Sequence, residues 1–106
     1  MADKTIMLVC ASGMSTSLLV SKMNAAAKTG GKNYDIFATA SSDVDAKIKE
    51  KSPDVLLLGP QIKYMEADMK KRANAIGIPI EVINMQDYGM MNGTNVLTEA
   101  EKLMGV

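Results

Sequence analysis

The 106-residue sequence contains no histidine and no tryptophan, and it has a single cysteine, Cys10. Without histidine, the chain lacks the commonest general base and the commonest metal ligand of proteins, and a Cys–His or Ser–His catalytic pair is excluded. A single cysteine cannot form a disulfide within the chain, and a reducing compartment keeps it as a thiol. A nucleophilic Cys10 therefore needs the backbone or a helix terminus to stabilise its thiolate.

The sequence also lacks net charge, because twelve acidic residues balance twelve basic ones. No global field favours nucleic acid or an anionic lipid surface, and we expect no nucleic acid as a partner. The apolar run at residues 6–9 is much shorter than the roughly 20 residues of a membrane helix, and it lacks the flanks of a signal peptide. These features predict one domain over residues 1–106, cytoplasmic and not inserted in a membrane.

Strand-like and helix-like segments alternate along the chain. The predicted strands are residues 5–10, 34–40, 54–58 and 80–83. The predicted helices run from residue 18 to the Gly30–Gly31 pair, from 42 to 51 and from 60 to 76, and a last one follows Gly93 with its inward residues between 96 and 104. Residues 54–58 form a continuous apolar run, which is typical of a strand covered on both faces. The alternation predicts an α/β fold with a four-stranded parallel sheet, right-handed crossovers and helices on both faces.

Several details of the helices and connections belong to the same prediction. Ser42 and Asp45 have the spacing of a capping box at the start of the second helix. Ile76 falls on the buried stripe of the third helix, which is predicted to begin at Pro60. Residues 84–93 are polar and contain glycine, so they are predicted to connect the last strand to the last helix.

The segment that follows the first strand has the composition of an anion-binding loop. It places a thiol at the strand end, small residues in the turn and hydroxyl side chains at the helix start. Gly13 permits backbone angles that let successive N–H groups converge, and the helix N-terminus adds about half a positive charge. We predict Cys10 as the nucleophile, with phosphate bound by Ala11, Ser12, Gly13, Met14, Ser15, Thr16 and Ser17. In the alternative, Cys10 is an inert buried residue and the hydroxyls only cap the helix.

Cysteine-dependent phosphatases and arsenate reductases are also built from a strand, a cysteine-containing loop and a helix. The sequence of their loop is cysteine, five further residues, arginine, and then serine or threonine. In this sequence Thr16 stands at the arginine position. Arginine clamps the phosphoryl oxygens and promotes transfer to water, so its loss favours a phosphocysteine that persists until another acceptor arrives. Arg72, the only arginine, is predicted to be in solvent or in a surface ion pair.

The chain resembles the cytoplasmic IIB proteins of the bacterial phosphoenolpyruvate-dependent sugar phosphotransferase system, in the lactose, cellobiose and chitobiose branch. The resemblance spans nearly the whole chain. It rests on IMLVCASGMSTSLLV at residues 6–20 and DVLLLGPQIKYM at residues 54–65. It implies strand order 2-1-3-4, an architecture similar to that of low-molecular-weight tyrosine phosphatases.

The resemblance further implies a phosphoryl relay. A phosphohistidine of a IIA protein donates to Cys10, and phospho-Cys10 donates to a sugar bound in the membrane-embedded IIC permease. The sugar implied is a β-linked disaccharide such as cellobiose, chitobiose or lactose, and the protein is cytoplasmic and associates with the permease. No cofactor and no metal site is predicted.

Three further residues are candidates for the rim of the site. Gln61 follows the third strand and is predicted to donate a hydrogen bond to phosphate or to a partner, with helix capping as the alternative. Tyr64 is placed on the same rim, with half-buried packing as the alternative. Tyr88 is predicted to contact a partner, or to belong to an ordinary surface loop. Two other functions stay open: a small cysteine-dependent phosphatase or arsenate reductase, and a non-catalytic anion or nucleotide binder in which Cys10 is dispensable.

Overall fold

The computed structural model of the protein describes residues 3–11 and 16–106. Its strands are β1 (Lys4–Cys10), β2 (Tyr34–Ala40), β3 (Val55–Leu58) and β4 (Ile80–Val82). Its α-helices are α1 (Ser17–Thr29), α2 (Val44–Lys51), α3 (Glu66–Ala75), α4 (Met85–Gly89) and α5 (Gly93–Met104). Two 3₁₀-helical turns, Ser41–Asp43 and Pro60–Met65, precede α2 and α3.

The four strands form one parallel sheet in the order β2-β1-β3-β4. The predicted α/β class and the strand order implied by the resemblance are both confirmed. In the register, Cys10 lies opposite Ala40, and Val9 lies opposite Leu58. The carboxyl ends of β1, β2 and β3 therefore meet at one edge of the sheet, where ligands of parallel α/β proteins usually bind.

Alternate residues of the two central strands feed two apolar layers, one on each face of the sheet. The first core layer joins the sheet to α1, α4 and α5 through Ile6, Leu8, Leu19, Met23, Val55, Leu57, Tyr88, Val96 and Leu97. The second core layer joins the opposite face to α2, α3 and the turn before α3 through Met7, Val9, Val44, Leu56, Leu58, Ile62 and Met69. Because both faces are covered, all four residues of β3 are buried, as its apolar run predicts.

The third helix begins later than predicted. Pro60–Met65 is a 3₁₀-helical turn, and Ile62 within it departs from helical angles at φ −114° and ψ 28°. The departure turns Ile62 into the second core layer before α3 begins at Glu66. Ile76 is 43% exposed because it follows the last residue of α3, so its predicted place in the buried stripe is wrong.

The predicted capping box of the second helix is also wrong. Ser42 lies inside the 3₁₀-helical turn, α2 begins at Val44, and no side chain caps either element. Asp45 is instead engaged by Arg72, whose Nε lies 2.9 Å from the Asp45 carboxylate. Arg72 also pairs with Asp68 one helical turn away, which confirms the surface ion pair predicted for this arginine.

Residues 84–93 contain a helix where a polar connection was predicted. The Asn84 side-chain oxygen accepts hydrogen bonds from the N–H groups of Gln86 at 2.9 Å and Asp87 at 3.0 Å, and this cap starts α4. A helix of five residues is too short to show helical periodicity in a sequence. Within the described residues, no helix is both long and apolar enough to cross a bilayer.

Candidate functional site

Cys10 is the last residue of β1, and only 1% of it is exposed to solvent. The strand is central in the sheet, with β2 on one side and β3 on the other. Two sets of ladder hydrogen bonds therefore hold the backbone just before the thiol. The described neighbours of Cys10 at this edge include Ala40 at the end of β2.

The side chain of Thr16 faces the sulfur of Cys10. The Thr16 Oγ1 atom lies 3.4 Å from Cys10 Sγ, and Thr16 is fully buried. Thr16 occupies the N-cap position of α1, where a threonine hydroxyl usually accepts a hydrogen bond from the first turn, yet it makes no such cap. The two ends of the loop over residues 10–16 are thus joined by a buried side-chain contact next to a helix N-terminus.

The other predicted phosphate-binding residues divide into two groups. Ala11 and Ser17 are described, and both are exposed at the two ends of the loop. Ser12, Gly13, Met14 and Ser15 lie outside the described residues.

The electrostatics of α1 favour an anion at this end of the helix. The helix runs for 13 residues, and its first turn contains no acidic side chain. The Thr16 carbonyl accepts a hydrogen bond from the N–H of Val20 at 2.9 Å, so the helical hydrogen bonds begin directly after the loop. The positive end of the helix dipole therefore lies beside Cys10 and Thr16, where it stabilises a thiolate or an attached phosphoryl group.

Gly59 lies close to Cys10, at the end of the neighbouring strand β3. Its N–H donates to the Val9 carbonyl at 2.8 Å, which continues the β1–β3 pairing by one residue. A Cβ atom at Gly59 would lie 3.7 Å from Cys10 Cβ and 3.3 Å from Gln61 Oε1. The sequence analysis gave Gly59 no part in the site. The signal was available, because a glycine directly after a central strand often marks a close approach.

The three predicted rim residues are only partly brought together. Gln61 is exposed. Tyr88 lies in α4, is 7% exposed and belongs to the first core layer, so the ordinary surface loop considered for it is wrong. These two residues line one hollow of about 360 Å³, together with Pro60, Met85 and Gly89. Tyr64 is 81% exposed, so the half-buried packing considered for it is wrong.

A second hollow, of about 280 Å³, has an acidic lining and does not suit phosphate. Glu81, Asp87 and Glu99 all line it. Burial first, and then the charge of Glu99, raise the pKa of Glu81. Carboxylates repel a phosphate dianion. Among residues 3–11 and 16–106, no three cysteine, aspartate or glutamate side chains are arranged to hold a metal ion.

Comparison with known proteins gives consistent matches over nearly the whole chain. A family model described as "PTS system, Lactose/Cellobiose specific IIB subunit" matches residues 5–99. The chain is 56% identical over 107 residues to the galactose-specific EIIB component of the PTS of Lactococcus lactis subsp. cremoris, covering 98% of this chain and 99% of that protein. Identity and coverage are the same for the cellobiose-specific EIIB component of Lactococcus lactis subsp. lactis.

A solved structure is similar as well. The chain is 38% identical to the cellobiose-specific phosphotransferase IIB component protein from Borrelia burgdorferi, whose solution structure superposes with a TM-score of 0.79. The match covers 96% of this chain and 92% of that one.

Proposed function

The chain belongs to the lactose/cellobiose-specific IIB family of the sugar phosphotransferase system, and we propose that it carries a phosphoryl group on Cys10 during sugar uptake. Proteins of this family are phosphotransferases. The observation that supports Cys10 as the carrier is its position at the end of a central strand, in contact with Thr16 at the N-terminus of α1. The proposed phosphate-binding residues are those of the loop that joins the two elements, from Ala11 to Ser17.

The proposed cycle has two transfers at the sulfur. In the first, a sulfur lone pair attacks the phosphorus of a phosphohistidine on a IIA protein. The S–P bond forms, the N–P bond breaks, and the electron pair returns to the imidazole nitrogen. In the second, a hydroxyl oxygen of a sugar held in the IIC permease attacks the same phosphorus. The O–P bond forms, the S–P bond breaks, the thiolate is regenerated, and the hydroxyl proton passes to a base or to solvent.

A carrier fits these residues better than a hydrolase. Thr16 occupies the position at which related phosphatases have an arginine, and Arg72 is bound to Asp45 and Asp68 on the surface. No guanidinium is therefore directed at the phosphoryl group to stabilise its transfer to water. Phosphocysteine should accordingly persist until a better acceptor than water is presented.

We further propose that the sugar is a β-linked disaccharide such as cellobiose, chitobiose or lactose. Two relatives of equal identity carry different names, one galactose-specific and one cellobiose-specific, so overall similarity does not discriminate between these sugars. The sugar is bound by the permease in the proposed cycle, and selection among sugars belongs there. The protein would act in the cytoplasm and associate with the IIC permease.

The rim residues are proposed to contact the partner proteins. Gln61 lies close to Gly59, where an added Cβ atom would be 3.3 Å from Gln61 Oε1 and 3.7 Å from Cys10 Cβ. Tyr64 is the most exposed large side chain among the exposed hydrophobic residues. Gln61 and Tyr88 line one apolar hollow. A partner that reaches the sulfur would cover this edge of the sheet.

The test is phosphorylation of Cys10 and its discharge by sugar. The protein is incubated with phosphoenolpyruvate, the general phosphotransferase proteins and a IIA protein, and its intact mass is followed. Wild type should gain one phosphoryl group that lasts for minutes, and Cys10→Ser should not form this phosphocysteine. Addition of membranes containing the permease and sugar should remove the group and yield sugar phosphate.

Other results would exclude the proposal. Rapid hydrolysis of an aryl phosphate or reduction of arsenate by wild type would indicate the phosphatase or reductase alternative. Phosphoryl transfer to sugar by Cys10→Ser at the wild-type rate would show that Cys10 is dispensable.

A further inference from the structure

The hydroxyl of Thr16 stands at a helix-capping position but bonds to the Cys10 sulfur instead of the helix backbone. At the N-cap of α1 it caps no backbone N–H group. It lies 3.4 Å from Cys10 Sγ instead, and both residues are almost completely excluded from water. A buried hydroxyl without a partner is costly, so this contact is the one that satisfies it.

The protonation state of Cys10 decides the direction of this hydrogen bond. When Cys10 is a thiol, either group can be the donor. When Cys10 is a thiolate, its sulfur has no proton and only accepts, so the Thr16 hydroxyl must donate. A hydrogen bond to a charged acceptor is stronger than one between neutral groups, and low polarity around a buried pair strengthens it further. The contact therefore favours the thiolate over the thiol.

We propose that Thr16 is a catalytic residue whose hydroxyl donates to the Cys10 sulfur, holds it as a thiolate ready to accept, and donates to a phosphoryl oxygen after the transfer. The sulfur of a phosphocysteine is a poor acceptor, because its lone pair no longer carries a full charge. The same hydroxyl then lies beside the oxygens of the new group. The second half of this inference rests on the proposed carrier function, whereas the first half concerns Cys10 alone.

This role explains what a threonine achieves at the arginine position of the related phosphatases. A hydroxyl stabilises the nucleophile with one hydrogen bond, and it brings no positive charge to the phosphoryl oxygens. The hydrogen bond assists both transfers, because the thiolate is the nucleophile when the carrier is loaded and the leaving group when it is discharged. What threonine does not supply is the positive charge on the phosphoryl oxygens with which arginine promotes transfer to water.

The test compares three variants of the full chain. Thr16→Val has nearly the same shape without the hydroxyl, and Thr16→Ser keeps the hydroxyl without the methyl group. Thr39→Val is the matched control, because Thr39 is also a buried threonine on the strand next to β1, and its hydroxyl faces the Ala40 carbonyl. Thr39 has no part in the proposed site.

The first measurement is the pH profile of Cys10 alkylation by iodoacetamide. In Thr16→Val the rate at neutral pH should fall by at least about tenfold, as expected for a lost hydrogen bond to a charged group, and the profile should move to higher pH. Thr16→Ser should retain a profile close to that of wild type, and Thr39→Val should not differ from it. The rate of phosphorylation by the IIA protein should follow the same order.

Two results would overturn the role of Thr16. One is a wild-type alkylation profile in Thr16→Val. The other is an equal shift in Thr16→Ser and Thr16→Val, because that would assign the effect to the methyl group. If the alkylation profile moves as expected but wild-type Cys10 never accepts a phosphoryl group, the proposed carrier function is wrong. The proposal that the Thr16 hydroxyl donates a hydrogen bond to the Cys10 thiolate would still hold.

A measurement on wild type covers the case in which Thr16→Val does not fold. The Thr16 side-chain carbon resonances should shift with pH along the same curve as those of Cys10, because the hydrogen bond changes direction when the thiol ionises. Thr16 resonances that do not respond to the titration of Cys10 would overturn the proposal.

Discussion

At the scale of single residues, the burial of Cys10 makes its few neighbours chemically important. Water contributes little to solvating a sulfur that is 1% exposed, so a thiolate or a phosphoryl group there depends on protein donors. Among the described residues, the Thr16 hydroxyl and the N-terminal end of α1 make such contributions. An exposed cysteine would be solvated by water, and neither contribution would have the same effect.

Gly59 provides a prediction at the same scale. A Cβ in Gly59→Ala would meet Gln61 Oε1 at 3.3 Å and the Val9 carbonyl oxygen at 3.4 Å. The exposed Gln61 side chain can move away, so Gly59→Ala should be close to wild type in stability. Gly59→Val adds two methyl groups beside Cys10 and should destabilise the fold by about 1–3 kcal/mol. It should also slow the phosphorylation of Cys10, as measured by intact mass against time.

The alanine variant serves as the control for the valine variant. Both lose the glycine, whose φ of −63° any residue can adopt, so backbone strain is not changed. Equal phosphorylation rates in wild type and Gly59→Val would show that the approach of Gly59 to Cys10 has no functional consequence.

At the scale of secondary-structure elements, the position of α1 depends on its packing against α5. A Cβ at Gly93, the first residue of α5, would lie 2.5 Å from the Lys22 carbonyl carbon and 2.7 Å from the Met23 nitrogen. These are backbone atoms of α1, so the two helices would have to separate. Gly93→Ala should therefore lower the free energy of unfolding by about 3 kcal/mol.

Thermal or urea unfolding measures this effect, and Gly89→Ala is the control. A Cβ at Gly89 has no atom within 4 Å, and alanine is the better helix former, so this variant should stay within about 1 kcal/mol of wild type. A Gly93→Ala protein with the wild-type unfolding midpoint would contradict the close packing of α1 on α5.

The contact between β2 and α5 predicts a pH dependence of stability. The Tyr34 hydroxyl donates to Glu101 Oε2 at 2.7 Å. Burial, this hydrogen bond, and the charges of Glu101 and Asp3 raise the pKa of Tyr34 to about 12. Because the pKa is higher in the folded protein than its usual value of 10.0, the neutral hydroxyl stabilises the fold. That contribution is complete below the usual pKa and is lost as the pH rises through about 12.

Tyr34→Phe should therefore lower the free energy of unfolding by about 1 kcal/mol at neutral pH. The difference from wild type should narrow as the pH rises between 10 and 12. Urea unfolding over this range measures it, with Tyr64→Phe as a control that removes an exposed hydroxyl. A difference that stays constant through this range would contradict the role of the Tyr34–Glu101 hydrogen bond.

At the scale of the whole molecule, the sheet is shared by the two core layers. Leu56 and Leu57 are neighbours in β3, and Leu56 packs into the second core layer while Leu57 packs into the first. Both are at most 2% exposed. Leu56→Ala and Leu57→Ala should each cost about 2–5 kcal/mol, although they perturb opposite faces.

Each variant should still unfold in a single transition, because neither layer can survive without the sheet. Tyrosine fluorescence reports mainly on the first core layer, because Tyr88 belongs to it, Tyr34 packs against it and the third tyrosine, Tyr64, is 81% exposed. Far-ultraviolet circular dichroism reports on all the helices. The two curves should coincide for both variants and for the control Leu18→Ala, whose side chain is 53% exposed. Separate transitions in Leu56→Ala would show that the two faces unfold independently.

Most of the elements were predictable from the sequence, and the misses share a cause. Tyr34–Ala40 matches the prediction, since β2 has the apolar and β-branched composition of a strand. The family resemblance in residues 6–20 and 54–65 is confirmed by the match over residues 5–99. The failures are short or interrupted elements: the turn at Pro60–Met65 and the helix α4. A few residues carry no readable period, and contacts with distant residues decide their conformation.

The sequence by itself determined the alternation of strands and helices, the single thiol at a strand end, and the absence of imidazole. These properties depend on residue order and local spacing. Only the tertiary structure decided which side chains meet: Thr16 at the Cys10 sulfur instead of at a helix cap, Gly59 against Cys10, and Tyr88 in the core. Such contacts depend on the register of β1 with β3 and on the packing of the helices against the sheet. Both are determined jointly by residues that are distant in sequence.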